Sequence, residues 1–380
     1  MASSTISSGN KTTRFQEKVR EEYVRGGRFG PYIGADQNSV IQTNRNSKKT
    51  SIALVSKLGG AGVEGSSSLV GSEEALNNFD HTAQPQYKRN AVTIDNEENE
   101  LSEFDLFSEA RPALMNWTME LKRDEIIQAM GAIEAGGTYY NYGGSKGATG
   151  STAASAANMD TWNANNQDRV LYGSLKGNNT SGDHTTSLGT IDTTNDKMDR
   201  EMVTLLKRMA ENADPLIRPI MLKGDEPWFV LFLGSYAFRD LQDDLETAHQ
   251  NAMPRAEDNP LWSGGDLMVD GVIIKKVPEI DYFIDNSGGA FGGVWGAGAT
   301  GDSLATAGNS SSRVGIGFLC GAQAVHYAIG KAAEFKTRKE DDYGHQMGVA
   351  TSMKHDIKKI FYNNKQHGMV TTFHSAAADA

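Results

Sequence analysis

The stretch LGGAGVEGSSSLVG, Leu58–Gly71, decides how the chain is read, because it places Gly60-x-Gly62-x-x-Gly65 directly after the strand-like run SIALVSK, Ser51–Lys57. A dinucleotide-binding turn of that form points a helix N-terminus at a pyrophosphate, so a helix must begin inside the motif. Here SSSLVG follows, the first helical turn is SEEAL from Ser72, and no strand ending in an acidic residue lies about twenty positions on. The glycines therefore read as a loop tip that needs unusual φ or close backbone approach.

Outward from the tip, SIALVSK and YKRNAVTI (Tyr87–Ile94) alternate like two strands, joined by a connection far longer than a hairpin loop. Such a ribbon projects roughly 25 Å at about 3.3 Å per residue. An isolated two-stranded ribbon is only marginally stable in water, so something else must support it. Next, Leu114, Trp117, Leu121, Ile127 and Met130 recur at helical steps and predict a long helix within Leu101–Ile133, kinked or restarted at Pro112.

Residues 136–195, dominated by Gly, Asn, Ser, Thr and Ala, predict a long surface excursion. Met198, Met202, Leu205, Leu206 and Met209 form one helical stripe that reads as a core face. WFVLFL reads as a buried strand, followed by a helix marked by Phe238, Leu241, Leu245 and Ala248. Asp270-Gly271 between two β-rich runs predicts a type I′ hairpin. Further strands are expected at IKKIFYN and GMVTTFHS, so the fold class is α+β.

Composition narrows the function. The chain has 380 residues, 38% of them hydrophobic, and a net charge of −11. Residues 1–57 carry a net +6, which leaves −17 for the remainder. An acidic bulk argues against a sequence reader of nucleic acid, while the leading segment reads as a solvated arm able to contact a polyanion. No apolar leader and no run approaching ~18 apolar residues is present, so a cytosolic place of folding without membrane contact is expected. The single cysteine, Cys320, reads as a buried hydrophobe.

The eight histidines show no HExxH and no short ligand spacing, so neither metal nor cofactor is expected. His355-Asp356 lacks a nucleophile elbow and reads as surface polar residues. Asp243-Asp244 and KEDDYG (Lys339–Gly344) read as solvated charges. No catalytic residue is assigned and the chain is expected not to be an enzyme.

The order of a polar arm, a β projection, a long helix and an α+β body resembles the podophage-type major capsid proteins of tailed bacteriophages, which have the Hong-Kong-97-like fold. The resemblance is carried by LVSKLGGAGVEGSSSLVGSEEALNNFD (Leu54–Asp80), WFVLFLGSYAFRDLQDD (Trp228–Asp244), NPLWSGGDLMVDGVIIKKVPEI (Asn259–Ile280), GFLCGAQAVHYAIGK (Gly317–Lys331) and EDDYGHQMGVATSMKHDIKKIFYN (Glu340–Asn363). It implies an N-terminal arm at 1–45, an extended loop at 46–95 lying over a neighbouring subunit, and a spine helix of the peripheral domain at 96–135. After the 136–195 excursion it implies a mainly axial domain at 196–312 and a return to the peripheral domain at 313–380.

By the same resemblance, Lys57, Leu58, Gly60, Gly62, Glu64, Gly65 and Leu69 belong to an assembly interface. Lys11, Arg14, Lys18, Arg20, Arg25 and Arg28 belong to an arm that can face DNA. The implied function is self-assembly through hexamers and pentamers into an icosahedral virion capsid. That shell would form in the host bacterial cytoplasm around double-stranded DNA bound without sequence specificity. No long charged helical segment precedes the arm, which implies a separate scaffolding protein; a portal and a decoration protein are further expected partners. Three alternative readings are an encapsulin-like nanocompartment, a nucleotide-dependent oxidoreductase that would need Gly60, and a secreted adhesin, against which the missing export signal counts.

Overall fold

From Phe229 to its end, strand Glu226–Leu233 is apolar on both faces because both faces are covered. Phe229, Leu231 and Leu233 enter one core cluster, Val230 and Phe232 the other, as the two-residue period of a strand requires. The computed structural model that shows this describes residues 27–46, 48–66, 68–101, 105–140, 155–180, 182–222, 226–252, 262–263, 266–285, 304, 307–341 and 345–378. The chain divides into two compact units. One comprises residues 27–86, 121–331 and 354–380; the other takes in 87–120 and 332–353.

The larger unit is built on an eight-stranded sheet. Six of its strands run in spatial order Asp266–Val269, Val272–Lys276, Glu226–Leu233, Val314–Cys320, Met369–Ser375 and Val170–Tyr172, with Trp262–Ser263 at one edge and Ile220–Leu222 paired to Glu226–Leu233 off that path. The Met202–Leu206–Met209 stripe of helix Arg200–Asn212 and the Phe238–Leu241–Leu245 stripe of helix Ser235–Ala252 pack on one face, as their spacing predicts. Trp162, Tyr172, Phe318 and Phe373 fill the other. Asp270 and Gly271 have φ of 51° and 77° and close the Val269↔Val272 pair, the expected type I′ geometry. Cys320 is fully buried, which pushes its thiol up.

Within the smaller unit, Ile94, Ala110, Leu114 and Val349 form a compact core, with Phe107 and Phe335 packed against it and the Arg111 guanidinium 5.5 Å from the Phe335 ring centre. The long helix, Leu106–Gly131, begins here and ends in the larger unit. It runs through Pro112 rather than restarting, and the shorter helix Asn96–Leu101 precedes it. Strands Val325–Asp341 and Gln346–Lys359 likewise belong to both units.

Three expectations need correction. The partner of strand Thr50–Val55 is Asn78–Ala83, whereas YKRNAVTI lies in strand Gln86–Asp95, next to Gln346–Lys359 in another sheet. Among the described residues, 155–195 is no surface excursion. Helix Ala156–Asn165 buries Trp162, strand Val170–Tyr172 is wholly buried, and Arg169 donates to the carbonyls of Gln366, His367 and Pro215. Its small polar residues cap helices instead: Ser155 accepts from the Asn158 amide and Asp183 from that of Thr186. Finally, His355 is buried, with Nε2 2.7 Å from Glu125 Oε2.

The same segment supplies a test. Gly173 sits at φ +60°, and a Cβ there would lie 2.2 Å from Asp196 Oδ1, the oxygen that accepts from the Ser174 amide at 2.8 Å. Gly173→Ala is expected to cost about 2–3 kcal/mol in denaturant unfolding, through both the left-handed φ and the displaced carboxylate.

Candidate subunit interface

The ribbon pairs six residues of each strand, from Thr50↔Ala83 at its root to Val55↔Asn78, and the Ser56 amide donates to the Asn77 carbonyl at 2.9 Å beyond them. Past this point every described residue from Lys57 to Asn78 is exposed. Of the fourteen strongly exposed large apolar side chains among the described residues, five lie here, Leu58, Val63, Leu69, Val70 and Leu76, and a sixth, Val55, ends the strand that leads into it. Val70 is 85% exposed. Scattered exposed apolar residues need no explanation, but such a concentration on a projection with no core of its own makes this tip the candidate contact surface.

The tip glycines have local reasons to be glycine. Gly62 and Gly65 hold φ of +74° and +69°. A Cβ on Gly60 would collide with Glu74, whose carboxylate accepts from the Gly59 amide at 2.9 Å. The Gly71 amide donates to Glu73 at 2.6 Å. The amides flanking the motif are thus taken by the chain's own carboxylates, and no helix starts within the motif. Lys57, Leu58, Gly60, Gly62, Glu64, Gly65 and Leu69 all lie on this exposed tip.

At the root, by contrast, the ribbon is fixed. Ala83 is fully buried, the Gln84 amide donates to Asp356 at 2.8 Å, and the Tyr362 hydroxyl reaches the Ile52 carbonyl at 3.4 Å. His81 packs edge to face on His326 at 5.8 Å between ring centres. Burial, then His326, then Lys358 press His81 down to about 3, and burial brings His326 down to about 4. Both rings are neutral at pH 7. The sequence reading missed NFDHTA as the second strand, although Phe79, His81 and Ala83 alternate with Asn78, Asp80 and Thr82.

Of the basic arm, Lys11, Arg14, Lys18, Arg20 and Arg25 lie outside the described residues; Arg28 is described and exposed. Among the described residues no group of three His, Cys, Asp or Glu side chains could hold a metal ion, and no helix is long and apolar enough to cross a membrane.

Comparison with known proteins gives the family. The phage capsid protein family matches residues 4–378. The chain belongs to the phage capsid protein family. Its role is that of a phage major capsid protein. The capsid protein of cyanophage Pam1 shares 33% identity and a TM-score of 0.85, with all of both chains covered. The major capsid protein of Pseudomonas phage KPP25 is 25% identical over 91% of this chain and 90% of its own. The capsid of Ralstonia phage GP4, 19% identical and fully covered on both sides, has a TM-score of 0.67 and shows the same fold. This capsid protein thus has the Hong-Kong-97-like α+β fold of the tailed-phage capsids.

Proposed function

We propose that copies of this capsid protein assemble through hexamers and pentamers into a closed icosahedral shell around the double-stranded DNA of a tailed phage, each copy laying its ribbon over a neighbour. The observation that carries this is a ribbon anchored at its root and exposed, with six large apolar residues, from Val55 outward. A cyclic arrangement of heterologous contacts closes on itself, and several modest contacts per copy add by avidity. In that scheme residues 46–95 are the extended loop and 96–135 the spine, with 196–312 mainly axial and 313–380 peripheral. The chain performs no catalysis.

Under this reading the acidic body lines a wall that does not grip DNA, while the basic arm, Lys11 to Arg28, touches it without reading sequence. A separate scaffolding protein, a portal and a decoration protein complete the partners, and assembly takes place in the bacterial cytoplasm. Electron microscopy of the purified protein is expected to show closed shells with fivefold and sixfold capsomers. A stable monomer at high concentration, with its ribbon protected from protease, would overturn the reading.

A further inference from the structure

The ribbon's root is held by two imidazoles that face each other without a cation's partner between them. His81, on strand Asn78–Ala83, and His326, on strand Val325–Asp341, are 7% and 0% exposed. His81 Nδ1 accepts from the Phe361 amide at 3.5 Å, so its proton sits on Nε2, which has no hydrogen-bond partner among the described residues. His326 meets Asn44 Nδ2 through Nε2 at 3.4 Å, and its Nδ1 is equally unpartnered. A second proton on either ring therefore places a charge in a buried site that offers it no new acceptor.

Beyond burial, the surroundings add to that cost at His81 and are divided at His326. From strand Gln346–Lys359, Lys358 depresses both rings, while its ion-pair partner Asp356, 3.6 Å away, favours the charged form of His326 only. Tyr362 presents its ring 6.5 Å from that of His81 and carries His367 on its other contact at 5.0 Å. Asp80, on the ribbon itself, reaches Ser51 at 3.4 Å and acts on Tyr362. His81 thus faces a second ring and a lysine with no carboxylate in its favour, whereas at His326 Asp356 outweighs Lys358 and burial is what keeps the ring neutral.

We propose that the His81–His326 pair is an acid-released hinge, whose protonation drives the ribbon's root off the body while the body stays folded. The hinge is a property of one chain; only its consequence, acid control over docking on a neighbour, rests on the proposed function. Both rings titrate lower when packed than when free, so the closed root is fully held above about pH 6.5 and loses strength as pH falls toward 3. For two rings the opening equilibrium rises on the order of a thousandfold at pH 5 relative to pH 8. His367 and His374 weaken the body over the same range, but the body starts from the larger free energy of two extensive apolar clusters, so the root opens first.

Hydrogen exchange by mass spectrometry on the subunit fraction of the full chain, from pH 8 to 4 and corrected for intrinsic rates, reads this directly. Peptides covering 50–55 and 78–83 are expected to lose two to three orders of magnitude of protection by about pH 5, with 314–320 and 369–375 still protected. Lys358→Gln, at a half-buried position that tolerates exchange, relieves the repulsion and moves the ribbon's midpoint to lower pH; His326→Gln reduces its steepness. Ribbon and body losing protection together, or an unmoved midpoint in Lys358→Gln, overturns the hinge. Microscopy of the same samples tests docking separately: an acid-opening root with no shells at any pH sinks the proposed function and leaves the hinge standing.

Discussion

Joining Lys57 directly to Ser72, with Leu58–Gly71 removed, yields a folded subunit that builds no shells. The deletion leaves all six strand pairs of the ribbon, the Ser56–Asn77 hydrogen bond, and the root contacts of Ala83, Gln84 and Tyr362. None of the described side chains it removes is buried, so the melting temperature is expected to move by no more than about 2 °C. What disappears is Leu58, Val63, Leu69 and Val70, whose burial on a neighbour is worth roughly 1.5–3 kcal/mol each before ordering costs. Losing even about 3 kcal/mol per contact weakens each contact about a hundredfold, and a closed shell multiplies that penalty over every copy. Circular dichroism and thermal melting check the fold; sedimentation velocity and microscopy check assembly. Closed shells from the deleted chain would show that the tip is dispensable.

How much of this was visible in the sequence depends on whether local pattern and tertiary environment agree. Trp228–Leu233, the Met202–Met209 stripe and Asp270-Gly271 carry their environment in their own periodicity or turn chemistry, and the structure places each as that chemistry demands. NFDHTA does not. Four of its six residues are polar, and the inward burial of His81 is set by His326 and Phe361–Tyr362, far away in the chain. YKRNAVTI alternates more cleanly, so it attracted the pairing that belongs to Asn78–Ala83.

Composition misled in 155–195 for a related reason. Ser155, Asp183 and Asp196 spend their polar atoms on backbone amides, and a few apolar residues, Trp162, Val170, Leu171 and Tyr172, suffice to anchor the segment in the core. Adjacency alone makes His355-Asp356 resemble a surface pair, but the alternation of the strand decides otherwise. Along Gln346–Lys359 burial alternates strictly from Val349 onward, which turns His355 inward and Asp356 outward. The candidate interface was legible as a tip without a ligand site, since glycines followed by no helix exclude a phosphate turn. The proposal that the tip meets another copy rests on the family resemblance.

The same alternation turns Lys359 into the core, and replacing it is expected to stabilise the subunit. Lys359 is 1% exposed, and its Nζ has no hydrogen-bond partner among the described residues; it lies 5.8 Å from the Trp162 ring centre and 5.5 Å from that of Phe361. Burial lowers it from 10.5 to about 7, opposed by Cys320. The unfolded chain therefore holds more protons than the folded one between those limits, so stability climbs as pH rises from 7 toward 10.5. Lys359→Met keeps the length and apolar stem and removes the ionisation cost, roughly 4 kcal/mol at or below pH 7, less what the two aromatic contacts return. The gain shrinks with rising pH. Cys320, raised by burial, favours the folded state below about 9 and reverses that trend above it, so pH 7–9 isolates the lysine. Guanidinium unfolding in the tip-deleted background, free of assembly, measures both curves. A wild-type stability flat across pH 7–9, or a methionine variant no more stable at pH 7, would mean that the amine finds a partner in solution.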